Sequence, residues 1–149
     1  MSSKVYWSAT KSRVQLVKQC GNLIGSLFIH TVLDERYYLH PLDHALELMG
    51  QTRVSKLGFI PDLNDCDDYQ RKLISRVHVA TFLDDAYREV KGKLTRRPPS
   101  LFGTADSYGH AFNIMANDDG RIRIYEPQTH EVYLPHEVPE EYGLVMVEW

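Results

Sequence analysis

A cysteine at the predicted start of a helix is the first residue of this sequence that could do nucleophilic chemistry. Apolar residues recur at helical intervals after Cys66, which predicts a helix that begins near Asn64 or Asp65. In the first turn of a helix, the unpaired N–H groups and the positive end of the dipole favour an anion. The thiolate is the reactive form of cysteine, so this position favours a reactive thiol. The alternative is a small, buried and unreactive cysteine.

A predicted β-hairpin brings an imidazole and a carboxylate to the same place. The loop 118–120 ends in glycine and suits a type I turn followed by a left-handed residue, which sets Phe112 opposite Glu126. Alternation of side chains then puts His110 and Glu126 at the end of one apolar face, within reach of a hydrogen bond. Because an unpaired buried carboxylate is costly, the pattern predicts that Glu126 pairs with His110.

Three carboxylates lie next to Cys66 in the sequence and could hold a metal ion. Asp65, Asp67 and Asp68, with Asp62 and Asn64 nearby, offer the oxygen ligands that calcium takes. They do not form an EF-hand, because Asp67 stands where that loop needs glycine. The alternative interpretation is that the acids cap the helix and complement its dipole. The candidate metal ligands are therefore Asp65, Asp67 and Asp68, with calcium as the candidate ion.

The elements that must hold these residues fall into a helical part and a sheet part. Periodicity predicts helices over 9–20, 43–49, from about 64 onward and separately over about 81–91, while 36–41 is extended and 23–33 fits either a helix or a strand. After a basic connector over 93–100, period-2 patterns predict strands over 108–116, 121–128, 132–134 and 144–148. This order predicts an α+β fold in which N-terminal helices pack on a C-terminal antiparallel sheet.

Composition limits the class of protein and its partners. A chain of 149 residues with 43% hydrophobic content predicts a single domain over residues 1–149. The net charge of -3 gives no electrostatic support for a nucleic-acid or anionic-membrane partner. Two cysteines are too few for a disulfide framework, so both are expected to be reduced. The longest apolar stretch is too short to cross a bilayer and no secretion signal is recognisable, so a cytoplasmic location is expected.

The chain order of these residues resembles that of papain-like and transglutaminase-like cysteine enzymes. The stretches 65–69, 109–113 and 125–128, which read DCDDY, GHAFN and YEPQ, are most similar to the C-terminal cysteine-protease domain of a mushroom agglutinin and to small microbial and phage domains. This resemblance implies a papain-like cysteine peptidase fold and calcium dependence. It also implies that Cys66 is the nucleophile, His110 the general base and later acid, and Glu126 the orienting group, with Gln128 as the reserve choice for that last role.

The resemblance implies acyl transfer at an amide through a thioester, with hydrolysis of a peptide or protein substrate as the leading outcome. Amidase, deamidase and transglutaminase activities use the same constellation. A non-catalytic binding or phage-structural domain on the same fold, or a metal-binding regulatory module, are the alternatives from other classes. Papain has a glutamine shortly before its cysteine that helps to form the oxyanion hole, and residues 58–63 contain none. Asn64 and Gln19 are the remaining candidates for that donor.

Overall fold

The computed structural model of the chain describes residues 6–58, 60, 65–92, 100–139 and 143–149. Three α-helices lie within these ranges, α1 (Ala9–Cys20), α2 (Leu42–Gln51) and α3 (Cys66–Val90), together with a short 3-10 helix (Val54–Lys56). The strands are β1 (Tyr6–Ser8), β2 (Ile24–Thr31), β3 (Arg36–Tyr38), β4 (Phe102–Asp106), β5 (Ala111–Ala116), β6 (Ile122–Glu126), β7 (Glu131–Tyr133) and β8 (Leu144–Glu148). None of the helices in the described part combines the length and the apolar character that crossing a bilayer requires.

The main sheet has six strands in the order β2-β8-β4-β5-β6-β7. Strand β2 lies parallel to β8, with Ile29 beside Met146, and the other pairs of neighbours are antiparallel. Strands β1 and β3 form a separate two-stranded sheet. The sheet is therefore mixed, and its strands come from both ends of the chain.

The predicted layout of N-terminal helices on a C-terminal antiparallel sheet is wrong in this respect. Three strands lie in the N-terminal half, and the ambiguous stretch 23–33 forms the edge strand β2. Strand β4 was not predicted. It contains Gly103, a residue type that is uncommon inside strands. A Cβ at Gly103 would lie 2.0 Å from the Glu148 carbonyl oxygen, so the close approach of β8 requires glycine there. The predicted break before residue 81 is also wrong, since α3 runs unbroken from Cys66 to Val90.

Both faces of the central strands are covered. On one face, Phe112 and Ile114 of β5 belong to a buried cluster that includes Leu16 and Cys20 of α1. On the other face, Met115 packs in a second buried cluster with α3 residues. Asn113 and Tyr125, whose positions alternate with those of Phe112 and Ile124, are therefore also fully buried. The sheet forms the middle layer between α1 and α3.

The hairpin formed by β5 and β6 has the predicted register. Ile114 lies opposite Ile124 and Asn113 opposite Tyr125, as the three-residue loop requires. Gly120 has a φ of 79°, the left-handed conformation that the loop sequence predicted, and its N–H donates to the Asn117 carbonyl at 2.9 Å. This confirms the register on which the His110 and Glu126 prediction depends.

Candidate functional site

The first turn of α3 holds Cys66. The helix begins at this residue, and the first helical bond runs from the Tyr69 N–H to the Asp65 carbonyl, at 3.0 Å. The predicted position of Cys66 in the first turn is therefore confirmed. Its side chain is half-buried, and its thiol makes no hydrogen bond to another residue that the structure describes.

His110 and Glu126 contact each other at the end of the hairpin, as predicted from its register. The Nε2 atom of His110 lies 2.5 Å from Oε2 of Glu126. Glu126 is 5% exposed, and its second oxygen accepts from the backbone N–H of Gln128 at 3.0 Å. A carboxylate held by a backbone donor can fix the orientation of the imidazole it binds. Glu126 is thus the residue that contacts His110, while Gln128 supports the carboxylate through its main chain.

Gln70, one turn into α3, shows how Cys66 stands relative to His110. The Gln70 amide contacts the Phe112 carbonyl at 2.7 Å and the Asp106 carboxylate at 3.0 Å, at the end of the hairpin formed by β4 and β5. Cys66 lies about 6 Å before Gln70 along the helix, given a rise of about 1.5 Å per residue. His110 lies about 7 Å before Phe112 along the strand. Further along α3, His78 contacts the Phe102 carbonyl at the other end of β4, at 3.3 Å, so α3 runs in the same direction as β5. Cys66 and His110 therefore both extend beyond the same end of the sheet.

The three carboxylates around Cys66 form a compact group. Carboxylate oxygens of Asp65, Asp67 and Asp68 lie within 4.8 Å of one another. The hydrogen bond to Asp65, together with burial and the charges of Asp65 and Asp68, raises the pKa of Asp67 above its usual value. The guanidinium of Arg71, 3.1 Å from the Asp67 carboxylate, acts in the opposite direction. Three carboxylates can supply part of the six to eight oxygens that calcium needs. The predicted additional ligands Asp62 and Asn64 lie outside the described residues, as does most of the basic connector 93–100.

Two residues near the start of the chain have structural roles. Cys20 is fully buried, and burial raises the pKa of its thiol to about 12, which makes it unreactive at neutral pH. Gln19 donates to the Gly120 carbonyl at 2.9 Å and accepts from the Ile122 N–H at 2.8 Å. Because these contacts lie at the opposite end of β5 from His110, the suggestion that Gln19 acts as a donor beside Cys66 is wrong.

The sequence did not indicate two buried amides that join α3 to the sheet. Gln70 is 3% exposed, and Asn113 is fully buried with its side-chain amide donating to the main-chain carbonyl of Gln70 at 3.3 Å. The one indication of a buried amide was that Asn113 is the only polar residue in β5, whose other side chains are all apolar. That signal becomes visible only when the second face is known to be covered.

Comparisons with known proteins give a match in fold alone. No family model matches the chain, and no curated protein matches it. One similar solved structure is described as a PSL1a–E64 complex, with 13% identity and a TM-score of 0.75 over 97% of this chain and 51% of that chain. Another is Polyporus squamosus lectin bound to the human-type influenza-binding epitope Neu5Aca2-6Galb1-4GlcNAc, with 14% identity and a TM-score of 0.70 over 97% and 50% of the two chains.

These comparisons overturn the predicted family and activity. The structures that share the fold are described as PSL1a and as a lectin, and neither is described as a papain-like peptidase. The predicted papain-like peptidase fold, peptide hydrolysis, thiol-hydrolase class and peptide substrate are corrected on this finding. The physical reason is that three short motifs and a local geometry do not determine a fold or a reaction. The single domain and the cytoplasmic location stay predictions. The chain spans about half the length of the chains it matches. Its fold is similar to that of the matched half of a Polyporus squamosus lectin chain.

Proposed function

We propose that this chain is a ligand-binding domain whose site lies between the first turn of α3 and the His110–Glu126 pair. The observation that carries the proposal is the pairing of a buried carboxylate with a histidine at the end of the sheet to which Cys66 also extends. A histidine oriented in this way can exchange a proton with a ligand or with a nearby thiol. The thiol stands in the first turn of α3.

The ligand class that this thiol fits best is an electrophile. PSL1a, which shares the fold, is described in complex with E64. E64 is an epoxide, and a thiolate opens an epoxide by forming a carbon–sulfur bond while the carbon–oxygen bond breaks. The resulting alkoxide takes a proton, which an imidazolium beside the thiolate can donate. We therefore propose that Cys66 binds E64, with His110 as the proton donor and Glu126 as the residue that orients it.

Intact mass measurement with peptide mapping tests this proposal. We expect one E64 adduct per chain at Cys66, no adduct in Cys66→Ser, and much slower formation in His110→Ala. Cys20→Ser is the matched control, because its buried thiol is unreactive and its removal should leave the rate unchanged. An adduct that is absent from the wild type, or a rate unaffected by His110→Ala, would contradict the proposal.

A glycan is the second candidate ligand, because a lectin with this fold is described in complex with a sialylated trisaccharide. The ring of Tyr108 is 83% exposed in the turn between β4 and β5, two residues before His110. An exposed aromatic ring offers a flat apolar surface for the face of a sugar. The acids at Asp65, Asp67 and Asp68 oppose a sialic acid carboxylate, so a bound cation would favour this ligand.

Titration calorimetry with Neu5Aca2-6Galb1-4GlcNAc tests the glycan candidate. Saturable binding that weakens in Tyr108→Ala, while the melting temperature stays unchanged, would support a glycan site in this chain. Absence of binding would exclude the glycan candidate for this chain.

We further propose that calcium binds at Asp65, Asp67 and Asp68. The crowding that raises the pKa of Asp67 is the electrostatic cost that a divalent cation relieves. A bound cation beside Cys66 would also favour the thiolate. Calcium is therefore expected to raise the melting temperature and the rate of labelling of Cys66 together.

A further inference from the structure

Gln70 makes an unusual set of contacts across the layers of the fold. Its side chain is almost fully buried, and its amide nitrogen lies 2.7 Å from the Phe112 carbonyl, 3.0 Å from the Ala105 carbonyl and 3.0 Å from a carboxylate oxygen of Asp106. The amide has two hydrogens, so three oxygens share two donors. The side-chain amide of Asn113 donates to the main-chain carbonyl of Gln70 at 3.3 Å and to the main-chain carbonyl of Gly103 at 3.1 Å. These two amides tie α3 to both β4 and β5.

The apolar contacts of α3 do not by themselves fix its position along the sheet. The buried residues Tyr69, Leu73 and Val77 recur every four positions and pack against Phe102 and Met115. A slide of the helix by four residues, about 6 Å, would bring Leu73 to the place of Tyr69 and Val77 to the place of Leu73. Hydrophobic contacts are non-directional and would tolerate such a change, at a modest cost. The hydrogen bonds of Gln70 would be lost, because they depend on distance and angle.

We propose that Gln70, together with Asn113, is a positioning residue that sets where Cys66 stands relative to His110. The proposal rests on the proposed ligand site. All three oxygens that Gln70 contacts lie within five residues of His110, and Cys66 is one helical turn from Gln70. The amide pair therefore couples the start of α3 to the turn that carries the histidine. Buried polar contacts that select one packing register among several are a known use of such groups.

A disulfide formed at the site measures this position directly. In a His110→Cys background, exchange with oxidised glutathione forms a bond between Cys66 and the introduced thiol while the glutathione disulfide is reduced to two thiols. The equilibrium gives the effective concentration of one thiol at the other. It is compared in three versions of this background: Gln70 retained, Gln70→Met, and Gln19→Met. Methionine has nearly the volume of glutamine and lacks its donors.

Gln19→Met is the matched control, because Gln19 also joins a helix to the hairpin through its amide but does so at the far end of β5. We expect Gln70→Met to lower the effective concentration by about tenfold or more relative to Gln19→Met, as a displacement of about 1 Å can. Asn113→Ala should act in the same direction and replaces Gln70→Met if that variant does not fold. Equal values for the Gln70 and Gln19 variants, or no such disulfide in any version, would overturn the proposal. Failure of the proposed function would instead be seen as a missing E64 adduct in the native chain.

Discussion

Lowering the pH from 7 to 5 should destabilise this protein through His30, a residue on β2. Its ring lies 5.4 Å from that of Trp149, nearly perpendicular to it, and its Nε2 atom is buried without a hydrogen-bond partner among the described residues. Burial, with a smaller contribution from the charge of Arg13, lowers the pKa of His30 from 6.5 to about 4. The folded protein therefore resists protonation of this ring more than the unfolded chain does.

The magnitude follows from the linkage between proton binding and folding. A histidine whose pKa is lowered in the folded state contributes stability above its unfolded pKa, and that stability is lost as the pH falls from about 6.5 towards 4. Between pH 7 and pH 5 this amounts to about 2 kcal/mol if the full shift applies. Because the ring is only half-buried, solvent screening reduces the expected loss to about 1 kcal/mol.

Urea denaturation of the wild type and of His30→Phe at pH 7 and pH 5 measures this contribution. Phenylalanine keeps an aromatic ring beside Trp149 and cannot titrate. We expect the wild type to lose about 1 kcal/mol more unfolding free energy between the two pH values than the variant does. His136→Gln, at an exposed position, should keep the pH dependence of the wild type. Equal losses in the wild type and His30→Phe would refute the reasoning.

Three further predictions concern the acids and two glycines. Asp67→Asn should raise the melting temperature without calcium and reduce the rise that calcium produces, as measured by scanning fluorimetry; an unchanged calcium effect would argue against the metal site. Gly120→Ala should cost about 1 kcal/mol in urea denaturation, because φ is 79° and no atom crowds a new Cβ. Gly103→Ala should cost several times more, because its Cβ would lie 2.0 Å from the Glu148 carbonyl oxygen; similar costs for both glycines would contradict this account of β4 and β8.

The hairpin was predictable because its information is local. The loop 118–120 requires a left-handed glycine at its end, and alternation then fixes which residues share a face. Together these gave the register of β5 and β6 and the contact between His110 and Glu126, which the structure confirms. The position of Cys66 in the first turn of α3 was predictable for the same reason, since it depends on the helical repeat that follows it.

The mixed sheet and the amide pair were not predictable, because they depend on contacts between distant parts of the chain. The pattern of residues 23–33 is the same for a buried helix and a buried strand, and only the parallel pairing with β8 decides between them. Likewise, Asn113 reads as a solvent-facing residue until α3 covers that face of the sheet. The family and the activity could not be settled from motifs, because the same few residue types recur on unrelated folds.

The rate of Cys66 alkylation by iodoacetamide as a function of pH tests the central claim most directly. It is followed by intact mass in the wild type and in His110→Ala, with calcium and with chelator. The proposed site predicts rapid labelling well below the ordinary thiol pKa of about 8.5, and loss of this labelling in His110→Ala. Labelling that rises only near pH 8.5, and that neither His110→Ala nor calcium changes, would contradict a site built from Cys66 and His110.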